Sequence, residues 1–166
     1  MTDGFSRRYD TPQLVERLNA DWYDLAVSSG LFDDRREFLV QLPQGTRSHL
    51  AVLQRRHGYR APVFWTRVRL LDHWDVMGRG AASAFLGVHS GHPGFAMMSL
   101  DGSVYVCAST GETGIDVLVV RHPDRSENIL RHLEWITRRD SPYANREEKQ
   151  RVAAWLAGRA RGLPGR

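Results

Sequence analysis

The chain has 166 residues, 42% of them apolar and 25% charged, with five tryptophans, the composition of one globular domain with a single core. Its longest apolar run, Ile115 to Val120 broken by Asp116, is too short to cross a bilayer, and residues 1–13 lack the apolar core of a secretion signal. The net charge of +4 is carried almost wholly by arginine and lies late in the chain, with eleven basic and six acidic residues from Arg121 onward against twelve and thirteen before it.

A cytoplasmic protein that meets no membrane is therefore expected, as one domain over residues 1–166. Residues 1–10 read as a frayed, partly basic arm. Thr11-Pro12 then opens a helix, with Thr as cap and Pro at the first helical position. Leu14, Val15, Leu18, Trp22, Leu25 and Ala26 recur at helical spacing to form one apolar face, and Gly30 closes it. Asp34-Arg35-Arg36-Glu37 has the spacing of a capping box and predicts a short helix through Phe38 and Leu39, stopped near Pro43. Thr46 or Ser48 is the cap of a third helix carrying Leu50, Val52 and Leu53 and ending at Gly58.

From there the pattern changes to period two. Residues 63–71 alternate Phe64, Thr66, Val68 and Leu70 against Val63, Trp65, Arg67 and Arg69, which predicts a strand with one wetter face. Residues 72–83 form a loop or short irregular turn. Over residues 84–121, short runs rich in Val, Ile, Phe and Tyr are separated by Gly, Pro, Asp or Ser, and Asp101-Gly102 marks a hairpin over 95–109. Cys107 lies mid-strand and reads as a small buried hydrophobe; as the only cysteine it permits neither an internal disulfide nor a Cys-based zinc cluster. Asp124-Arg125-Ser126-Glu127 opens a helix with Ile129, Leu130, Leu133 and Ile136 as its stripe, broken at Asp140-Ser141-Pro142. A basic helix and tail at 145–166, carrying Val152, Trp155 and Leu156, ends the chain. Helices, a strand cluster and further helices predict an α+β fold: an antiparallel sheet of about four or five strands over 63–121, flanked by N-terminal and C-terminal helices.

Four clusters bear on chemistry. His89-Ser90-Gly91-His92 places two histidines on a glycine turn that can ligate a metal, but no third ligand is evident, so no metal site is assigned and a surface turn is expected. Asp72-His73-Trp74-Asp75 sets a carboxylate beside an imidazole without a nucleophile in reach, and reads as a polar loop over a packed Trp74. The glycines of Thr110-Gly111-Glu112-Thr113-Gly114 join two strands rather than a strand and a helix, so this is a plain turn and not a phosphate loop. Trp65, Arg67 and Arg69 share one strand face, with Tyr59 and Arg60 just before. That composition suits a protein interface, base stacking with phosphate contacts, or a face covered by a helix.

Residues 38–137 resemble the SUKH (Smi1/Knr4-like) superfamily. The features are Leu42-Pro43 followed by SHLAVLQRRHGY, the strand pair FLGVHSGHPGFAMMSLDGSVYVCAS with its Asp-Gly turn, and the closing helix from Ser126 through Leu133. The resemblance implies an α+β domain without catalysis that binds other proteins, in many members as an immunity protein against a secreted bacterial toxin. The expected function is thus a non-catalytic protein-binding module of an immunity or antitoxin type, using Trp65, Arg67, Arg69, His89 and His92, with no cofactor. A nucleic-acid-associated protein using Arg138, Arg139, Arg146, Lys149, Arg151, Arg159 and Arg161 is the alternative. A small metal-dependent hydrolase built on His89, His92, Asp72 and His73 is the third.

Overall fold

Alternation of apolar side chains over residues 104–121 builds the centre of a six-stranded antiparallel sheet in the computed structural model, which describes residues 2–8, 14–43, 63–83, 85–138 and 146–160. The chain divides into two compact units, Met1–Pro123 and Asp124–Arg166. In the first unit the strands are β1 (Thr2–Arg8), β2 (Glu37–Pro43), β3 (Val63–Arg69), β4 (Gly87–His89), β5 (His92–Pro93), β6 (Phe95–Met98), β7 (Val104–Thr110) and β8 (Gly114–Arg121). The main sheet runs β1-β8-β7-β6-β2-β3, and β4 and β5 pair separately as a short ribbon. Helix α1 (Leu14–Ser29) and a π-helix at Val76–Gly80 complete the unit.

One face of the sheet is closed. Leu18, Trp22 and Ala26 of α1 and Val76 and Met77 of the π-helix pack with Phe38, Val40, Met97, Val106, Ile115, Val117 and Val119 in one buried core. Trp22 is fully buried and meets Trp74 edge-on at 5.4 Å between ring centroids, while Tyr23 stacks on Trp74 at 4.9 Å. The polar loop over a packed Trp74 is thus present. Its neighbour Asp75 caps the π-helix, accepting from Gly78 N at 2.8 Å and Arg79 N at 2.9 Å. Asn19 of α1 closes the network from the other side, donating to Asp75 Oδ1 at 2.7 Å and accepting from Met77 N at 2.9 Å. Burial alone would raise the Asp75 carboxyl, but the donors from Arg79, Asn19 and Gly78 outweigh it and hold the group below its ordinary value.

Helix α1 ends as its sequence predicts. Gly30 has φ +82°, Leu31 N donates to Ala26 O at 3.0 Å and Gly30 N to Val27 O at 3.1 Å, the paired bonds of a Schellman cap. The hairpin over 95–109 also forms, from β6 and β7, with its turn wider than two residues. Only Gly102 takes the left-handed conformation (φ +74°), while Asp101 Oδ1 gathers Ser99 Oγ (2.6 Å), Ser103 Oγ (2.8 Å) and Ser103 N (3.0 Å).

Two segments depart from the sequence reading. Within the arm of residues 1–10, residues 2–8 form strand β1, paired along its whole length with β8. Phe5 packs against the core, and Gly4 lets the β1 backbone approach Val117 O so closely that a Cβ would collide with it. The helix expected over Asp34 to Leu39 is instead the turn into β2. Asp33 Oδ1, one residue before the capping box read at Asp34, accepts from Arg35 N (2.9 Å) and Glu37 N (2.7 Å) and closes a turn instead. Beyond it, Phe38 and Val40 enter the core from alternate positions, which only a strand allows. The sheet therefore has six strands, two of them before residue 63. The Thr11-Pro12 cap, the helix over 46–58, Tyr59, Arg60 and the break at 140–142 lie outside the described residues.

A 3-10 turn at Pro123–Arg125 leads into the second unit, where α2 (Glu127–Ile136) follows its cap residue Ser126 and α3 (Arg146–Ala160) comes next. Leu130 N donates to Ser126 O at 2.9 Å. Exposed ion pairs Glu127–Arg131 and Glu147–Arg151 span single turns of these helices, and Lys149 Nζ donates to Arg138 O at 2.9 Å.

Candidate functional site: the open face of the sheet

An antiparallel sheet with one face on the core turns its alternate residues outward. Register carries Arg67, Leu39, Met98, Tyr105 and Val120 across that outer face in one row, and beside it Trp65 pairs with Gln41 while Ala96, Cys107 and Leu118 pair in turn. Apart from Ala96, these side chains range from half-buried to exposed, and Trp65 and Leu118 reach 40% and 45% exposure. Trp65 on the edge strand meets Tyr105 of β7 edge-on at 6.4 Å, leaning across β2 and β6. Leu118 lies beside Gly4, where the missing side chain leaves it room.

Apart from Arg67 and Gln41, the two rows form an apolar belt from β3 to β8, and polar groups frame it. Arg67 Nε donates to Glu37 Oε2 at 2.9 Å, with its Nη2 on the same oxygen, while Arg69 stands exposed at the end of β3. On the other side Ser109, Asp116 and Ser6 follow the belt in the next row. The face thus has an apolar centre inside a charged rim, with Trp, Tyr and Arg among its members. Burial pushes both the Cys107 thiol and the Tyr105 hydroxyl up, the latter helped by Cys107 beside it, so each stays protonated at neutral pH. Cys107 is thus a poor nucleophile and contributes apolar surface.

Trp65, Arg67 and Arg69 come together here as their alternation predicts, but His89 and His92 do not join them. The β4–β5 ribbon that carries the histidines lies against the helical side: Gly91 N donates to Met77 O at 2.7 Å, and Gly91 faces Val15 of α1. The two imidazoles are 6.0 Å apart between centroids and nearly perpendicular, and His92 Nδ1 lies 3.1 Å from Ser90 O. Asp72 is engaged by Arg36 at 2.8 Å, and among the described residues no three His, Cys, Asp or Glu converge as a metal site. On α3, Arg146, Lys149, Arg151 and Arg159 are spaced around the helix rather than along one side. Arg139 and Arg161 lie outside the described residues.

Leu39, Met98, Tyr105, Leu118 and Val120 were not singled out from the sequence as surface residues. One signal was present: Val117 to Val120 is an unbroken apolar run, so β8 carries apolar side chains on both faces. Comparison with protein families, with curated proteins and with solved structures gives no match to this chain.

Proposed function

We propose that this chain is a non-catalytic protein-binding module whose partner seats on the open face of the sheet. The observation that carries this reading is the belt from β3 to β8 anchored by exposed Trp65 and Leu118 inside a rim of Arg67, Arg69, Glu37 and Asp116. A β-sheet surface of this kind is rigid before binding, so little conformational entropy is lost on association. The role implied by the SUKH resemblance, holding a toxin inactive, would put that toxin on this face.

The test compares capture of the partner by the native chain, by Trp65→Ala and Leu118→Arg on the open face, and by His89→Ala with His92→Ala on the ribbon. Truncating an aromatic anchor removes about 2 kcal/mol or more, on the order of 30-fold in Kd. The expected outcome is loss of one defined protein with the open-face variants and its retention with the ribbon variants, with circular dichroism unchanged throughout. Equal binding by all variants refutes the assignment of the face.

A further inference from the structure

Strand β3 ends the order of the main sheet, so one of its two edges has no strand beside it. Two routes identify the backbone groups on that edge. Leu70 N donates to Arg36 O at 2.9 Å, so the residues of β3 that exchange bonds with β2 are Phe64, Thr66 and Val68, at alternate positions before it. From the other side, Ser99 N donates to Val104 O, which turns Met97 toward β7 and Met98 toward its β2 partner Leu39, leaving Phe38 and Val40 to face β3. Both routes agree. The backbone N–H and C=O groups of Val63, Trp65, Arg67 and Arg69 point away from the sheet, and none of them is hydrogen-bonded among the described residues.

Proteins blunt a free edge with proline, a bulge or an uncompensated charge. The centre of β3 has none of these. It pairs with β2 along its whole length without a shift in register, Arg67 is compensated by Glu37, and Arg69 stands at the strand end. The edge is also open on both sides. Trp65, Arg67 and Arg69 are exposed on the open face. Thr66 lies by alternation on the core side, beside Val40, yet it too is exposed, so the layer over that side stops short of it.

The sequence of this strand complements itself. Laid antiparallel on a second copy with the axis at Thr66, Val63–Arg69 sets Trp65 opposite Arg67, Phe64 opposite Val68, Val63 opposite Arg69 and Thr66 opposite Thr66. Arginine against an aromatic ring, an aromatic against a β-branched residue and Thr against Thr are all favourable cross-strand pairs, and no like charges lie directly opposite. An axis at Arg67 would set the two Arg67 residues opposite one another, and an axis at Trp65 would run the pairing past the strand end at Val63. We propose that β3 pairs with β3 of a second copy, antiparallel about a twofold axis at Thr66, joining the two sheets into one. This inference does not rest on the protein-partner reading. Thr66 lies off the open face, so substituting it leaves the belt unchanged, and failure of either reading leaves the other standing.

The experiment follows the intact chain over a range of concentrations by analytical ultracentrifugation and amide hydrogen exchange. A monomer–dimer equilibrium is expected. Amide protection should rise with concentration at Trp65, Arg67 and Arg69, and not at Thr66 and Val68, whose N–H groups already face β2. Thr66→Lys and Thr66→Asp each set like charges across the axis and should weaken dimerisation about fivefold, with circular dichroism unchanged. An equimolar mixture of the two should associate at least as tightly as the native chain, because Lys then faces Asp. A native chain that stays monomeric with unchanged exchange, assemblies larger than two, or a mixture of folded variants no tighter than either alone would each overturn the proposal.

Discussion

The Asn19–Asp75 network lends itself to a quantitative test, because one carboxylate holds three donors and joins α1 to the π-helix. In Asp75→Ala the cap is lost, which costs about 1 kcal/mol within a range of roughly 0.5–2. Gly78 is buried, so its N–H is stranded without an acceptor, and the Asn19 amide loses its partner; one stranded donor costs about 1–3 kcal/mol. The exposed Arg79 N–H can turn to water and adds little. The sum is about 3 kcal/mol, or a fall in Tm of roughly 6–12 °C for a chain of this size. Asp75→Asn keeps an acceptor and should lose only about 1 kcal/mol.

Urea unfolding of Asp75→Ala, Asn19→Ala and the double variant measures the coupling directly. If the two side chains act through one another, the double variant falls short of additivity by about 1 kcal/mol, and amide exchange at Met77 and Gly78 accelerates in all three. The sign of the pH dependence follows from the lowered carboxyl: its contribution is present above the unfolded value of 3.8 and is lost as pH falls through the folded value. A loss below 1 kcal/mol for Asp75→Ala, or additivity within about 0.4 kcal/mol, would refute the account.

Three further outcomes are expected. Gly30→Ala should destabilise by about 1 kcal/mol in thermal unfolding, purely through backbone strain, since Gly30 has φ +82° and a Cβ there meets nothing within 4 Å. Trp22→Phe should cost about 1–2 kcal/mol against roughly 3–5 for Trp22→Ala, because the buried Trp22 Nε1 has no hydrogen-bond partner among the described residues and its loss strands nothing. The Ser99 hydroxyl, with the Ser103 N–H and hydroxyl, lowers Asp101 from 3.8 to about 2, so its stabilising contribution is present above pH 3.8 and vanishes as pH falls toward 2. Acid unfolding of Asp101→Asn should therefore converge on the native chain in that window and diverge from it at pH 6.

Residues whose environment is set by near neighbours were legible from the sequence. The apolar stripe of α1 with its Gly30 cap, the alternation of β3 and β7, and the helix after Ser126 all follow from period and capping chemistry acting within a few residues. The α+β class followed from their order. Tertiary pairing decided the rest. β1 has one core side chain, Phe5, and too little alternation to read; it is a strand because β8 offers it a full row of backbone partners. β2 carried both a capping-box spacing and an alternation of Phe38, Val40 and Leu42, and the core settled between them by burying the alternation. The belt has the same origin: Trp65, Leu39, Met98, Tyr105 and Leu118 come from five strands, and Leu39 and Leu118 are 79 positions apart. No local pattern can place them side by side, because that adjacency exists only once the strands are in register.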